Sequence, residues 1–316
     1  MNQFLIIISI SLIFQNVSIA QKQEFQKSGT KECLNNIFFV NSNIGYVVGN
    51  NGIILKTIDG GGKWIHQISG TKYWLRSVHF ISTEIGYCVG NKGIILKTID
   101  GGAHWTIIRT EKRALSWLGC VYFLNQDTGL CVGHRFKILK TTNGGKDWLS
   151  TNNVPGKGWL TSLYFVNKSI GYVVGWSEVI LKTTDEGKSW TKISSGGKGW
   201  LGSVKFSDEN TGIAVGMDVS SSDGLILFTK DGGQNWKHWN INKISKLYSV
   251  CFSKSNTAYI LGHENLTDKI ISVNNEGKTL KTIYPGTKNT LTSIFVTDPE
   301  ILYAVGAKGT IIKFTD

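Results

Sequence analysis

The 316-residue chain is 41% apolar and 18% charged, and its 34 Lys and Arg against 22 Asp and Glu leave a net charge of +12. That balance supplies a core and excludes a disordered polyelectrolyte. Its four arginines (Arg76, Arg109, Arg113 and Arg135) are scattered with no basic cluster, which argues against a nucleic-acid track; the surplus lysine suits acidic partners, anionic surfaces or plain solubility.

In chain order, residues 1–20 come first and carry no charged side chain. The apolar run Phe4 to Phe14 has signal-peptide length, and Ser18-Ile19-Ala20 offers small residues for cleavage before Gln21. Cleavage there predicts a secreted or periplasmic mature chain without a membrane span. No cysteine follows the cleavage point to take a lipid. A buried first strand is the alternative.

From residue 21 on, the chain repeats. A short apolar block ending in glycine occurs seven times: GYVVG (45–49), GYCVG (86–90), GLCVG (129–133), GYVVG (171–175), GIAVG (212–216), AYILG (258–262) and LYAVG (302–306). The last glycine steps by 41, 43, 42, 41, 46 and 44 residues. A run such as Leu75 to Phe80 precedes each block, an ILKT-like run follows, and a fourth run opens on tryptophan. Four short strands in a unit of this length predict an all-β, seven-bladed propeller filling residues 21–316 as one domain. The chain stops at the third strand of the seventh unit. Offset by 41, Ser28 to Lys31 matches Ser69 to Lys72, so residues 23–27 fall on the outer strand and are expected to close the last blade. The odd count of five cysteines, scattered over strands, predicts buried thiols rather than a disulfide framework.

Between third and fourth strands lies Thr-x-Asp-x-Gly-x-x-Trp, read at Thr57/Asp59/Gly61/Trp64, Thr98/Asp100/Gly102/Trp105, Thr183/Asp185/Gly187/Trp190 and Thr229/Asp231/Gly233/Trp236. A third copy has Asn143 in the acidic position, and a sixth is decayed at Asn275, Gly277 and Leu280. Hydroxyl and carboxylate are expected to bond turn backbone while glycine takes a positive φ. No D-x-D-x-D-G spacing suggests calcium, and no metal or cofactor is expected. The repeat resembles the Asp-box, or bacterial neuraminidase, repeat. Its GYVVG…ILKTxDGGxxW unit is similar to the photosystem II stability/assembly factor-like propellers. That resemblance implies a seven-bladed propeller with a non-enzymatic assembly or binding role. Those factors use an arginine-rich patch, which these scattered arginines do not make.

A sialidase site needs three arginines about a carboxylate and a tyrosine nucleophile, and the pattern here does not supply it. A carbohydrate-binding or glycoside-hydrolase-type propeller remains the alternative function, because Glu178, Asp218, Asp223, Glu264 and Asp268 fall in second-to-third-strand loops, opposite the Asp boxes. These are expected to be solvated acids. His134 and His263 are expected to be exposed loop residues, and the lysine of ILKT a solvated or blade-edge charge. Six tryptophans lie outside the Asp boxes. Trp74, Trp117, Trp159 and Trp200 each precede the leucine opening a first strand. First strands line a propeller's channel, so these indoles are expected to form an arc around its mouth, extended by Trp176. Lys157, Lys198 and Arg135 accompany them; Trp239 reads as outer-strand surface or packing. The arc suits a protein or peptide partner first and a glycan second, on a monomeric protein. The same indoles could instead stack on one another and cap the channel.

Overall fold

The structure, a computed structural model, describes residues 22–111, 116–151, 158–193, 199–241, 244–265, 267–274, 279–297 and 301–315. The signal-peptide expectation for residues 1–20, Lys157, Lys198 and the sixth box at Asn275 and Gly277 lie outside them.

Each apolar block becomes the second strand of a four-stranded antiparallel sheet. In blade 1 the inner strand Leu34–Phe39 pairs with Gly45–Gly49, which pairs with Ile54–Thr57 and then Ile65–Gln67. The described residues make seven such sheets, a seven-bladed propeller. In blades 1 to 4 and 7 the second strands are buried along their whole length, which is why they read as unbroken apolar runs rather than alternating ones. Ring closure is as the repeat offset predicts, shifted slightly toward the N-terminus. Lys22–Phe25 pairs with Ile311–Thr315, in register Lys22 to Thr315 and Phe25 to Ile312, and supplies the fourth strand of blade 7. Among the described residues, no helix is long and apolar enough to cross a membrane. All five cysteines are free.

Blades pack through aromatic side chains at fixed repeat positions. Phe80, ending the inner strand of blade 2, stacks on Tyr46 of blade 1 at 3.8 Å and meets its own blade's Trp105 edge-on at 5.9 Å. Phe123 and Phe206 repeat this with Tyr87/Trp148 and Tyr172/Trp236. The Asp-box turns behave as their chemistry requires. Thr98 donates to Asp100 at 2.9 Å and accepts from Gly102 N at 2.8 Å, while Asp100 accepts from His104 N at 2.9 Å.

The ILKT lysines correct a sequence expectation. Lys97 is no solvated edge charge: its Nζ donates to the carbonyl of Gly144, in the next blade's Asp-box turn, at 2.8 Å, and Tyr87 Oη donates to the same oxygen at 2.9 Å. Lys56 with Tyr46 on Gly101, Lys182 with Tyr172 on Gly232, and Lys313 with Tyr303 on Gly60 are copies. Lys140 reaches Glu186 O alone, because Leu130 stands where blades 1, 2, 4 and 7 have tyrosine. An ammonium bonded to a carbonyl half-hidden between blades is a staple, stronger than a neutral pair.

Candidate functional site

The rim opposite the Asp boxes is built where each inner strand starts. The backbone carbonyl before the opening leucine accepts from the residue just after the second strand: Trp74 O from Asn91 N at 2.9 Å, Trp117 O from His134 N at 2.9 Å, and Trp159 O from Trp176 N at 2.8 Å. The two strands approach so closely that a Cβ on Gly90 would lie 2.0 Å from Trp74 O. That approach is why the block must end in glycine. A bulge follows the leucine in every blade, turning the next side chains toward the central channel.

The arc of indoles splits into two kinds. Trp117 and Trp200 are half-buried, folded over Gly119 and Gly202 two positions on, where a Cβ would meet the ring at 2.8 and 2.7 Å. Trp74 and Trp159 have Arg76 and Thr161 at that position and stand out, 48% and 42% exposed. Trp176 is also 42% exposed. Ring contacts join Trp117 to Trp159 at 6.3 Å and Trp159 to Trp176 at 5.2 Å. Trp74 and Trp200 flank that cluster.

Two residues the sequence reading did not assign to the arc belong to it. The Arg76 guanidinium lies 4.9 Å from the Trp117 ring centroid, held by its Nε donating to Asn91 Oδ1 at 2.8 Å. His134 sits between Trp117 and Trp159, at 6.1 and 6.5 Å, and is half-buried rather than an exposed loop residue. Burial, with the Arg135 and Lys137 charges, lowers its pKa from the ordinary value, which favours the neutral imidazole. Its signal was positional: His134 and Trp176 both directly follow the block's last glycine. Arg135 itself is exposed beside this cluster, with φ +58°.

The loop acids also depart from expectation. Glu178 is 3% exposed, not solvated; its Oε2 accepts from Gly199 N at 2.9 Å and its Oε1 lies 3.2 Å from His238 Nε2. Gly199 O in turn accepts from Glu178 N at 2.6 Å, so this acid anchors the backbone that presents Trp200. Asp268 is buried likewise, accepting from Leu291 N and lying 2.8 Å from His263 Nδ1. His263 is thus a strand residue tied to a carboxylate. Glu264 pairs with Lys269. Asp218 accepts from Ser220 N at 2.7 Å, and Asp223 shares that loop, its carbonyl accepting from Asp218 N. Trp239 is half-buried against the core between blades 5 and 6, as outer-strand packing. Among the described residues, no three His, Cys, Asp or Glu side chains gather as metal ligands.

Inside the rim, the seven inner strands enclose a channel of about 760 Å³. Residues 16–115 and 115–199 match the family described as Photosynthesis system II assembly factor YCF48, more than half of the chain. No curated protein matches it. Similar solved structures include one described as YCF48 bound to D1 peptide, 19% identical with TM-score 0.75, covering 93% of this chain and 97% of that one. YCF48 from Cyanidioschyzon merolae is 17% identical with TM-score 0.74, covering 92% and 98%. The WD40 β-propeller domain of Doa1 is 13% identical with TM-score 0.72, covering 93% and 98%. At these identities the likeness is one of fold. The family match over residues 16–199 carries more, because it spans over half of the chain: the chain belongs to the Photosynthesis system II assembly factor YCF48 family.

Proposed function

We propose that this protein is an exported, non-enzymatic assembly propeller that binds a protein or peptide segment through the tryptophan rim. The observation that carries the reading is the contiguous indole surface Trp117–Trp159–Trp176, with two of its three rings 42% exposed and with Arg76 and Arg135 beside it. Rigid amphipathic rings give a peptide large contact area at small entropic cost, and arginines favour its carbonyl and acidic groups. Membership of an assembly-factor family supports the reading, as does the similar structure described as holding a peptide. Export rests on residues 1–20; a mature N-terminus at Gln21 in protein recovered from its native source tests it.

The site is tested by selecting peptides from a random displayed library on the wild-type protein, then measuring them against Trp159→Ala and Trp176→Ala. Each truncation should weaken selected peptides by roughly 2 kcal/mol, about thirtyfold, without changing melting. Peptides that bind both variants as well as wild type place the site elsewhere. Binding on a glycan array, abolished by the same variants, favours the sugar reading. Hydrolysis of aryl glycosides that disappears on replacing Glu178 or Asp218 overturns the non-enzymatic one.

A further inference from the structure

One repeat position, the fifth residue counted from the opening leucine of each inner strand, puts a side chain from every blade into the channel at one level: Phe38, His79, Tyr122, Tyr164, Lys205, Cys251 and Phe295. Neighbouring rings touch around most of this collar. Phe295 meets Phe38 at 5.6 Å, Phe38 meets His79 at 5.1 Å, His79 meets Tyr122 at 4.7 Å and Tyr122 meets Tyr164 at 6.0 Å. Lys205 breaks the aromatic sequence. Its ammonium lies 4.7 Å from the Tyr164 ring centroid, and among the described residues no carboxylate pairs with it.

The described part of the channel wall offers that charge no counterion. Among the described residues lining it none is acidic, while Arg76, Lys205 and Lys254 are cationic. Burial lowers the Lys205 pKa, and burial with the Lys205 charge pushes His79 down to about 3, leaving the imidazole neutral. A half-buried ammonium set against a ring gains from any anion that completes its shell. On Lys205's own blade 5 and on the blades either side, the buried Ser162, Ser203 and Ser249 also line the channel, and each hydroxyl accepts one backbone N–H, from Val204, Val250 and Ile294 at 3.3, 3.4 and 3.3 Å. A hydroxyl that accepts a backbone N–H keeps its own proton to donate. A cation that shares the channel wall with such hydroxyls, in a channel of about 760 Å³ whose described lining holds no carboxylate, is a receptor for negative charge.

We propose that the central channel is a binding site for a compact oxyanion, held by Lys205 and the serine hydroxyls beside it. Inorganic sulfate or phosphate and a small organic carboxylate share the chemistry it reads. The site lies below the indole rim and stands whether or not a peptide docks there.

The full chain is titrated with sodium sulfate, sodium phosphate and sodium citrate, with ionic strength held constant by sodium chloride, and melting is followed. A saturable rise in Tm is expected for at least one of them, since a ligand of the native state stabilises by mass action. A response to sulfate or phosphate identifies the inorganic source, a response to citrate the organic one. Lys205→Met should lose at least about tenfold in affinity, and Lys205→Arg should keep a saturable response. Lys230→Met, at the turn after the third strand of blade 5, should respond as wild type. Crystals soaked in selenate should show the anomalous scatterer against Lys205. No oxyanion-specific shift, an unchanged response in Lys205→Met, or selenate bound only elsewhere overturns the proposal. Should Lys205→Met fail to fold, the selenate position in wild-type crystals decides.

Discussion

On the Asp-box face, the turns at Thr57, Thr98, Thr183 and Thr229 repeat the same hydroxyl–carboxylate and hydroxyl–backbone bonds. In three of these turns, at blades 1, 2 and 5, the tip carbonyl is further taken by a tyrosine and a lysine from the preceding blade. The opposite rim is made by the same blades and repeats little of this. The residue before the opening leucine is Trp in blades 2 to 5 but Cys33, Lys246 and Thr290 in the others, and Trp74, Trp159 and Trp176 stand 42–48% exposed. Where the repeat satisfies its own polar groups, a face stabilises the ring and has little to offer a ligand. Where it leaves apolar area uncovered, a partner gains most by covering it.

The comparison can be broken in several ways. Deleting residues 22–27 should have the largest effect, because it removes a four-residue strand pairing and the Gln26 Oε1 that accepts from Trp64 Nε1 at 2.9 Å. A loss of roughly 3–5 kcal/mol in urea denaturation is expected, from several backbone bonds at about 1 kcal/mol each. A truncated chain melting within about two degrees of the parent would show that the ring is held shut elsewhere.

Gly90→Ala comes next, since its Cβ would collide with Trp74 O on the rim side. It should cost roughly 1–3 kcal/mol, the usual range for overpacking, and an alanine accepted without cost would mean the rim backbone yields easily. On the other face, Tyr87→Phe and Lys97→Met each leave Gly144 O one donor. Singly each should cost about 1 kcal/mol; the double variant should exceed the sum, because only then is the buried carbonyl unpaired. Strict additivity would dissolve the staple.

The Asp-box carboxylates should show in the acid limb of stability. Backbone and side-chain bonds from His104, with Thr98, hold Asp100 at about 2 against an ordinary 3.8; bonds from Asn235 and Thr229 do the same for Asp231. A depressed carboxyl pKa stabilises fully above the unfolded value, and that contribution is lost as pH falls from 3.8 toward 2. Asp100→Asn and Asp231→Asn should therefore melt less steeply with pH in this window than wild type; identical slopes refute the assignment. Smallest should be the stability change in Trp159→Ala or Trp176→Ala, under about 1 kcal/mol each, as for exposed side chains. A loss of core size would make the indoles channel packing, and the two faces alike.

Much of the architecture was legible because a propeller writes its blades locally. GYVVG and ILKT as strands, and Asp100 with Thr98 as a turn, are each set within a few residues, and the 41-residue offset between Ser28 and Ser69 placed the closing strand within a residue or two. Within the site, the arc of tryptophans was legible from its place before each opening leucine. Arg76 and His134 were not, because their partners Trp117 and Trp159 lie in the following blade.

The sequence by itself determined the number of blades, the closure of the ring and the Asp-box turns, since each depends on period or on bonds spanning two to four residues. Tertiary structure alone decided which polar groups are hidden. Lys56 meets its carbonyl 45 residues on and Glu178 meets Gly199 21 residues on, so nothing near either residue reveals that it is bound rather than solvated. It also decided that Trp117 folds over Gly119 while Trp159, with Thr161 in that place, stands out into solvent. Burial is set by what the neighbouring blade brings up against a side chain, and that neighbour arrives only when the ring closes.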